Sequence, residues 1–214
     1  MKTSEIPIDF PLKMIAILRG IKPTETELIV KVLIQKGFRS IEIPLNSPNP
    51  FKSIEIAVAT AEAFLPGKCL VGAGTVLTVQ DVKNTHRVGG KLIVSPNSNI
   101  EVIRASKALS LQSWPGVMTP TECFSALEAG ADGLKIFPAS LVGPDGLKAI
   151  RAVLPIGCQV YAVGGVDTSN FKEWITAGID GFGIGSAIYK AGISPEEVGQ
   201  NAIAIVNAYN NAMK

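Results

Sequence analysis

Thr119-Pro120-Thr121-Glu122-Cys123-Phe124-Ser125-Ala126-Leu127-Glu128-Ala129-Gly130 and Gly133-Leu134-Lys135-Ile136-Phe137-Pro138 stand almost back to back in the chain. Thr119 with Glu122 three residues on is a capping-box helix start, and Gly130 supplies the left-handed stop. The second run is apolar, short and bounded by Gly and Pro, which predicts a strand. One helix therefore feeds one strand, the start of an α/β alternation.

The same unit recurs in both directions. Strands are expected at 14–18, 40–44, 69–73, 91–94, 111–114, 133–138, 159–163 and 181–184. Helices are expected over about 23–36, 49–65, 78–87, 98–109, 119–129, 144–154, 168–177 and 195–213. Alternation of this kind demands parallel strands joined by right-handed crossovers. Eight cycles predict an α/β (β/α)8 TIM barrel in a single domain, 1–214, with 1–13 as an N-terminal extension or a helix closing the barrel bottom. The competing open, doubly wound sheet would carry a Gly fingerprint after its first strand; Arg19-Gly20-Ile21 stands there instead.

Composition narrows the function. The chain has 214 residues, 47% hydrophobic and 18% charged, enough for one large core and without a Pro/Ser linker. A net charge of +2 with scattered basic residues argues against a nucleic-acid surface. Cys69, Cys123 and Cys158 are far apart, lack metal-ligand spacing and read as reduced thiols. His86, alone in a polar stretch, reads as a surface residue, so no metal site is expected. The first twelve residues resemble neither a signal peptide nor a membrane span, and the expected location is the cytoplasm.

Two charges sit where strands should be buried. Leu134 and Ile136 share one face of their strand, so Lys135 points the other way; Glu42, between Ile41 and Ile43, does the same. In a barrel the apolar face packs on helices, which turns both charges inward. Either they form an inert buried ion pair, or they are an amine nucleophile and a proton shuttle.

The expected strand ends collect further polar and small residues. Arg19 could fork onto a carboxylate or pair with a surface acid, Thr75 could donate a hydroxyl, and Phe137 reads as pocket wall or core. Gly164-Gly165, before a helix expected near Asp167-Thr168, and Gly185-Ser186 suit an anion at the ends of the last two strands, where barrels often bind phosphate. The plain alternative is two tight turns that need glycine.

Together Ile17-Leu18-Arg19-Gly20, Ile41-Glu42-Ile43-Pro44-Leu45-Asn46-Ser47-Pro48, Gly72-Ala73-Gly74-Thr75-Val76, Leu134-Lys135-Ile136-Phe137-Pro138, Val163-Gly164-Gly165-Val166 and Gly185-Ser186 resemble the 2-keto-3-deoxy-6-phosphogluconate/phosphogalactonate aldolase family over residues 14–192. The resemblance implies a class I, cofactor-free and metal-free aldolase, a homotrimer acting on a small phosphorylated keto acid. It implies Lys135 as the Schiff-base residue and Glu42 as general acid/base. Arg19, Thr75 and Pro96 would hold the pyruvoyl end, Phe137 would also line the substrate pocket, and Gly164, Gly165, Gly185 and Ser186 would hold the phosphate. Asn46 and Val163 stand where the phosphogluconate branch typically has Arg and Thr, so the phosphogalactonate epimer is the expected substrate, with the gluconate epimer as alternative. A non-covalent phosphate-binding isomerase and a sugar-phosphate sensor share the glycine turns but have no need of a lone lysine inside a strand.

Overall fold

Nine short strands run parallel in the computed structural model, which describes residues 12–214. They are β1 (Met14–Ile17), β2 (Ser40–Pro44), β3 (Leu70–Gly74), β4 (Leu92–Val94), β5 (Gln112–Trp114), β6 (Gly116–Val117), β7 (Leu134–Ile136), β8 (Val160–Val163) and β9 (Gly181–Ile184). Their order is β5-β4-β3-β2-β1-β9-β8-β7-β6. Pro115 has no N–H to donate and divides the expected fifth strand into β5 and β6. The first half pairs with β4 and the second with β7, so one extended segment, 112–117, closes the ring as an eight-stranded barrel. The Pro115 carbonyl still accepts the Lys135 N–H at 2.9 Å.

The outer layer consists of α1 (Pro23–Gln35), α2 (Pro50–Phe64), α3 (Val79–Arg87), α4 (Ile100–Ala108), α5 (Pro120–Glu128), α6 (Ala139–Arg151), α7 (Phe171–Thr176) and α8 (Pro195–Met213). Capping boxes open α3 at Thr78/Asp81, α5 at Thr119/Glu122 and α8 at Ser194/Glu197. Strand side chains divide by parity. Ile41, Ile43, Leu134 and Ile136 join the main core under the helices, whereas Ile15, Leu92, Val94 and Trp114 form a separate cluster with Leu70 and Tyr161. Glu42 and Lys135 share the inward parity, as the alternation predicts. Inside the ring Trp114 and Tyr161 pack with centroids 4.5 Å apart. A Cβ on Gly133 would lie 2.4 Å from the Trp114 ring, and one on Gly181 2.6 Å from Tyr161, so glycine opposite each ring is a packing requirement.

Two helix expectations are corrected. The helix expected from 144 does open at Pro144, but Gly143, at φ 68°, joins it to a preceding helical turn from Ala139 that was not expected, and it ends at Arg151. The helix expected from 168 begins only at Phe171 and has 6 residues. Asp167 accepts from the Ser169 N–H at 2.8 Å, and the Asn170 side chain accepts from the Asp167 N–H and donates to the Gly165 carbonyl. Such local side-chain bonds compete with the first helical turn. The N-terminal extension of 1–13 lies almost wholly outside the described residues. Among the described residues no helix is long and apolar enough to cross a membrane.

Candidate active site

Lys135 is 7% exposed and Glu42 3%, both in the barrel interior. Burial pushes the Lys135 ammonium below its usual range; Glu42 pulls it back up and Arg19 pushes it further down. Burial pushes the Glu42 carboxyl up, against the lowering influence of Lys135 and then Arg19. Removal from water acts on the charged form of each group, so the amine moves toward neutral and the carboxyl toward protonated. No hydrogen bond or ion pair joins them, and Glu42 Oε2 is buried without a hydrogen-bond partner. A buried ion pair built for rigidity would satisfy that oxygen. The Lys135 Nζ instead lies 4.5 Å from the centroid of the Phe137 ring, two residues on along the same face.

The Glu42 carboxyl occupies space surrendered by β3. A Cβ on Gly74 would fall 1.1 Å from Glu42 Oε2. Gly74 thus fixes where the acid can be, a role that pattern reading missed, although the motif Gly72-Ala73-Gly74 puts two glycines on one face of one strand. The next residue, Thr75, holds φ at 55°. A β-branched side chain enters that region only under constraint, at a cost of about 1–3 kcal/mol.

A cavity of about 440 Å3 opens at the carboxyl ends of β1, β7, β8 and β9. It gathers Arg19, Phe137, Val163, Gly164, Gly165, Gly185 and Ser186 from the expected set. Gly164 and Gly165 take φ values of 88° and 81°, and a Cβ on Gly165 would stand 2.6 Å from that of Ser140, so glycine is needed there twice over. The peptide backbone itself forms much of this end of the cavity. The late start of α7 removes the helix end expected beside these glycines, so any anion there would rely on backbone N–H groups and nearby side chains such as Ser186 rather than a helix terminus.

Five expected residues do not line this cavity: Lys135 and Glu42, in the barrel interior, and Asn46, Thr75 and Pro96. Asn46 meets Arg19, whose Nη1 donates to Asn46 Oδ1 at 2.6 Å. The next pair of residues repeats the contact, with the Gly20 N–H donating to Ser47 Oγ at 2.9 Å. Thr75 stands at the β3 end beside Gly74, and Pro96 stands just past β4, packed so closely to Gly116 that a Cβ there would lie 2.3 Å from the Pro96 carbonyl oxygen. Tyr189 and Lys190, which no strand-end reading singled out, also line the cavity. Tyr189 is held there by donating to Glu25 Oε1 at 2.7 Å; burial first, and this bond second, push its hydroxyl pKa up.

Barrels whose interior holds a buried lysine with a lowered pKa together with a buried acid fit the enzymes that handle ketones through a covalent imine. Comparison with known proteins narrows that class. The model of the KDPG and KHG aldolase family matches residues 10–203, and the chain belongs to that family. A probable 2-dehydro-3-deoxy-6-phosphogalactonate aldolase of Rhizobium meliloti (strain 1021) is 53% identical over 95% of this chain and 93% of its own. The 2-dehydro-3-deoxy-6-phosphogalactonate aldolase of Escherichia coli (strain K12) is 48% identical over 95% of this chain and 97% of its own. A solved structure described as native KDPGal superposes with a TM-score of 0.90 at 48% identity, covering 95% of this chain and 97% of that one. The protein is a class I, Schiff-base aldolase, a carbon–carbon lyase.

Proposed function

We propose that the protein cleaves 2-dehydro-3-deoxy-6-phospho-D-galactonate to pyruvate and D-glyceraldehyde 3-phosphate. The observation that carries this reading is the unpaired Lys135 amine, buried beside an acid whose Oε2 has no protein partner. The two relatives above 45% identity, both named for the galactonate epimer, support the choice of substrate. Asn46 in contact with Arg19, and Val163 in the cavity wall, are the residues assigned to epimer choice.

The Lys135 amine attacks the C2 ketone, and protonated Glu42 gives its proton to the departing hydroxyl as water leaves. The iminium then draws electrons. Glu42, now a carboxylate, takes the C4 hydroxyl proton, the C3–C4 bond breaks, and its electron pair becomes the enamine of pyruvate while the aldehyde departs. Glu42 returns the proton to C3, and water hydrolyses the imine and restores the starting protonation. Arg19 pairs with the C1 carboxylate, with Thr75, Pro96 and Phe137 framing the pyruvoyl end. Gly164, Gly165, Gly185 and Ser186 receive the phosphate.

The chain works as one domain, in a homotrimer, in the cytoplasm. Exposed Leu77, Met118, Phe124 and Leu141 supply apolar surface for subunit contacts, and three free cysteines suit a reducing compartment. Borohydride reduction with pyruvate tests the chemistry: an adduct at Lys135, absent from Lys135→Ala, is the expected result. Failure of the wild-type protein to form it refutes the proposal.

A further inference from the structure

We propose that Lys190 supplies the cationic contact for the phosphate end of the substrate, so that the keto acid lies stretched between Arg19 and Lys190. The inference deepens the function proposed above and rests on it. The substrate carries two anionic ends, a carboxylate next to the carbon that bonds Lys135 and a phosphate at the far end. Arg19 and Lys190 are the two cationic side chains among the residues lining the cavity. They are not equivalent. The charge of Arg19 acts on both Lys135 and Glu42, which places it at the imine end, and Asn46 holds it there. Lys190 is not among the charges that shift either group, and it follows β9, four residues past Ser186, lining the same cavity as the glycines that would face the phosphate.

Lys190 is also uncommitted. Its ammonium takes part in no ion pair or hydrogen bond among the described residues. The acids around it are engaged elsewhere: Glu25 accepts from Tyr189 and from the Lys22 N–H, and Glu197 accepts from the Ser194 N–H. A second cavity of about 440 Å3, bounded by Glu197, Gln200 and Asn201, shares Ser186, Ala187 and Lys190 with the first. The lysine therefore stands on the partition between them. Backbone N–H groups alone orient a phosphate without neutralising its charge of about −1.5 to −2. A lysine next to them adds the missing point charge.

The test compares wild-type, Lys190→Met and Lys190→Arg proteins. For 2-dehydro-3-deoxy-6-phosphogalactonate, Lys190→Met should raise KM about tenfold, a charge-assisted contact discounted for solvent exposure. The effect should fall on KM far more than on kcat, Lys190→Arg should restore most of the loss, and kcat/KM for unphosphorylated 2-dehydro-3-deoxygalactonate should stay within about twofold. Borohydride trapping of pyruvate at Lys135 should proceed as in wild type. A KM for the phosphorylated substrate that stays within twofold overturns the role of Lys190, as does an equal loss on the unphosphorylated one. Neither result touches the aldolase assignment, which falls only if the wild-type protein fails to trap pyruvate.

Discussion

Gly74→Ala should cripple the enzyme while leaving its fold in place. The added Cβ would lie 1.1 Å from Glu42 Oε2 and 2.3 Å from the carboxyl carbon. Real Cβ contacts essentially never fall below 3.0 Å, so the carboxyl must retreat by about 2 Å. Misplacing a reacting group by about 1 Å can already cost about a hundredfold, so kcat should fall by at least about 10²-fold, or roughly 2.7 kcal/mol in the barrier. The obstacle is the end of a rotatable side chain, and Gly74 has an ordinary φ, so unfolding should be little affected. Gly72→Ala is the contrast. Its Cβ would meet the Leu92 carbonyl oxygen at 1.9 Å, and backbone within a barrel cannot step aside. That variant should lose stability first. Pyruvate release followed through a coupled dehydrogenase, with thermal unfolding of both variants, checks the pair. Gly74→Ala with kcat within twofold of wild type would refute the claim that this glycine positions the acid.

Glu42→Gln should retain the fold and slow proton transfer, lowering kcat by about a hundredfold or more; steady-state kinetics at wild-type rates would reduce Glu42 to a packing residue. Lys135→Met should be inactive yet more thermostable at pH 7 by a few degrees, since it removes a buried amine whose folded pKa lies below its unfolded 10.5. In the wild type the unfolded state binds more protons between those two values, so native stability rises with pH through that window and the advantage of the methionine variant should shrink toward pH 10.5. Melting curves across that range check the sign, and an advantage that grows with pH would contradict it. Asn46→Ala frees the Arg19 guanidinium from its 2.6 Å contact and should raise KM for both phosphorylated epimers by several-fold; unchanged KM values would remove Asn46 from the site.

Much of this site was legible because strands announce their faces. The parity of Ile41-Glu42-Ile43 and Leu134-Lys135-Ile136 placed both charges inside the ring before any coordinates. The turns at Gly164-Gly165 and Gly185-Ser186 were visible as small residues at strand ends, and the structure brings all four to one cavity. What misled was local competition. Asp167, Ser169 and Asn170 form a side-chain-bonded turn where a helix start was expected, because each offers the backbone an alternative partner. Pro115 was readable as the end of a strand but not as a joint that pairs with a different neighbour on each side.

Sequence alone therefore determined the parallel barrel, its eightfold alternation and the two buried charges, since periodicity, caps and turns are properties of neighbours along the chain. Only the tertiary structure decided that Glu42 and Lys135 stay unpaired, that Gly74 makes the room for the acid, and that Asn46 meets Arg19 while Lys190 lines the same cavity. Those relations hold between residues on different strands and loops, and they exist only once the ring has closed and set their distances.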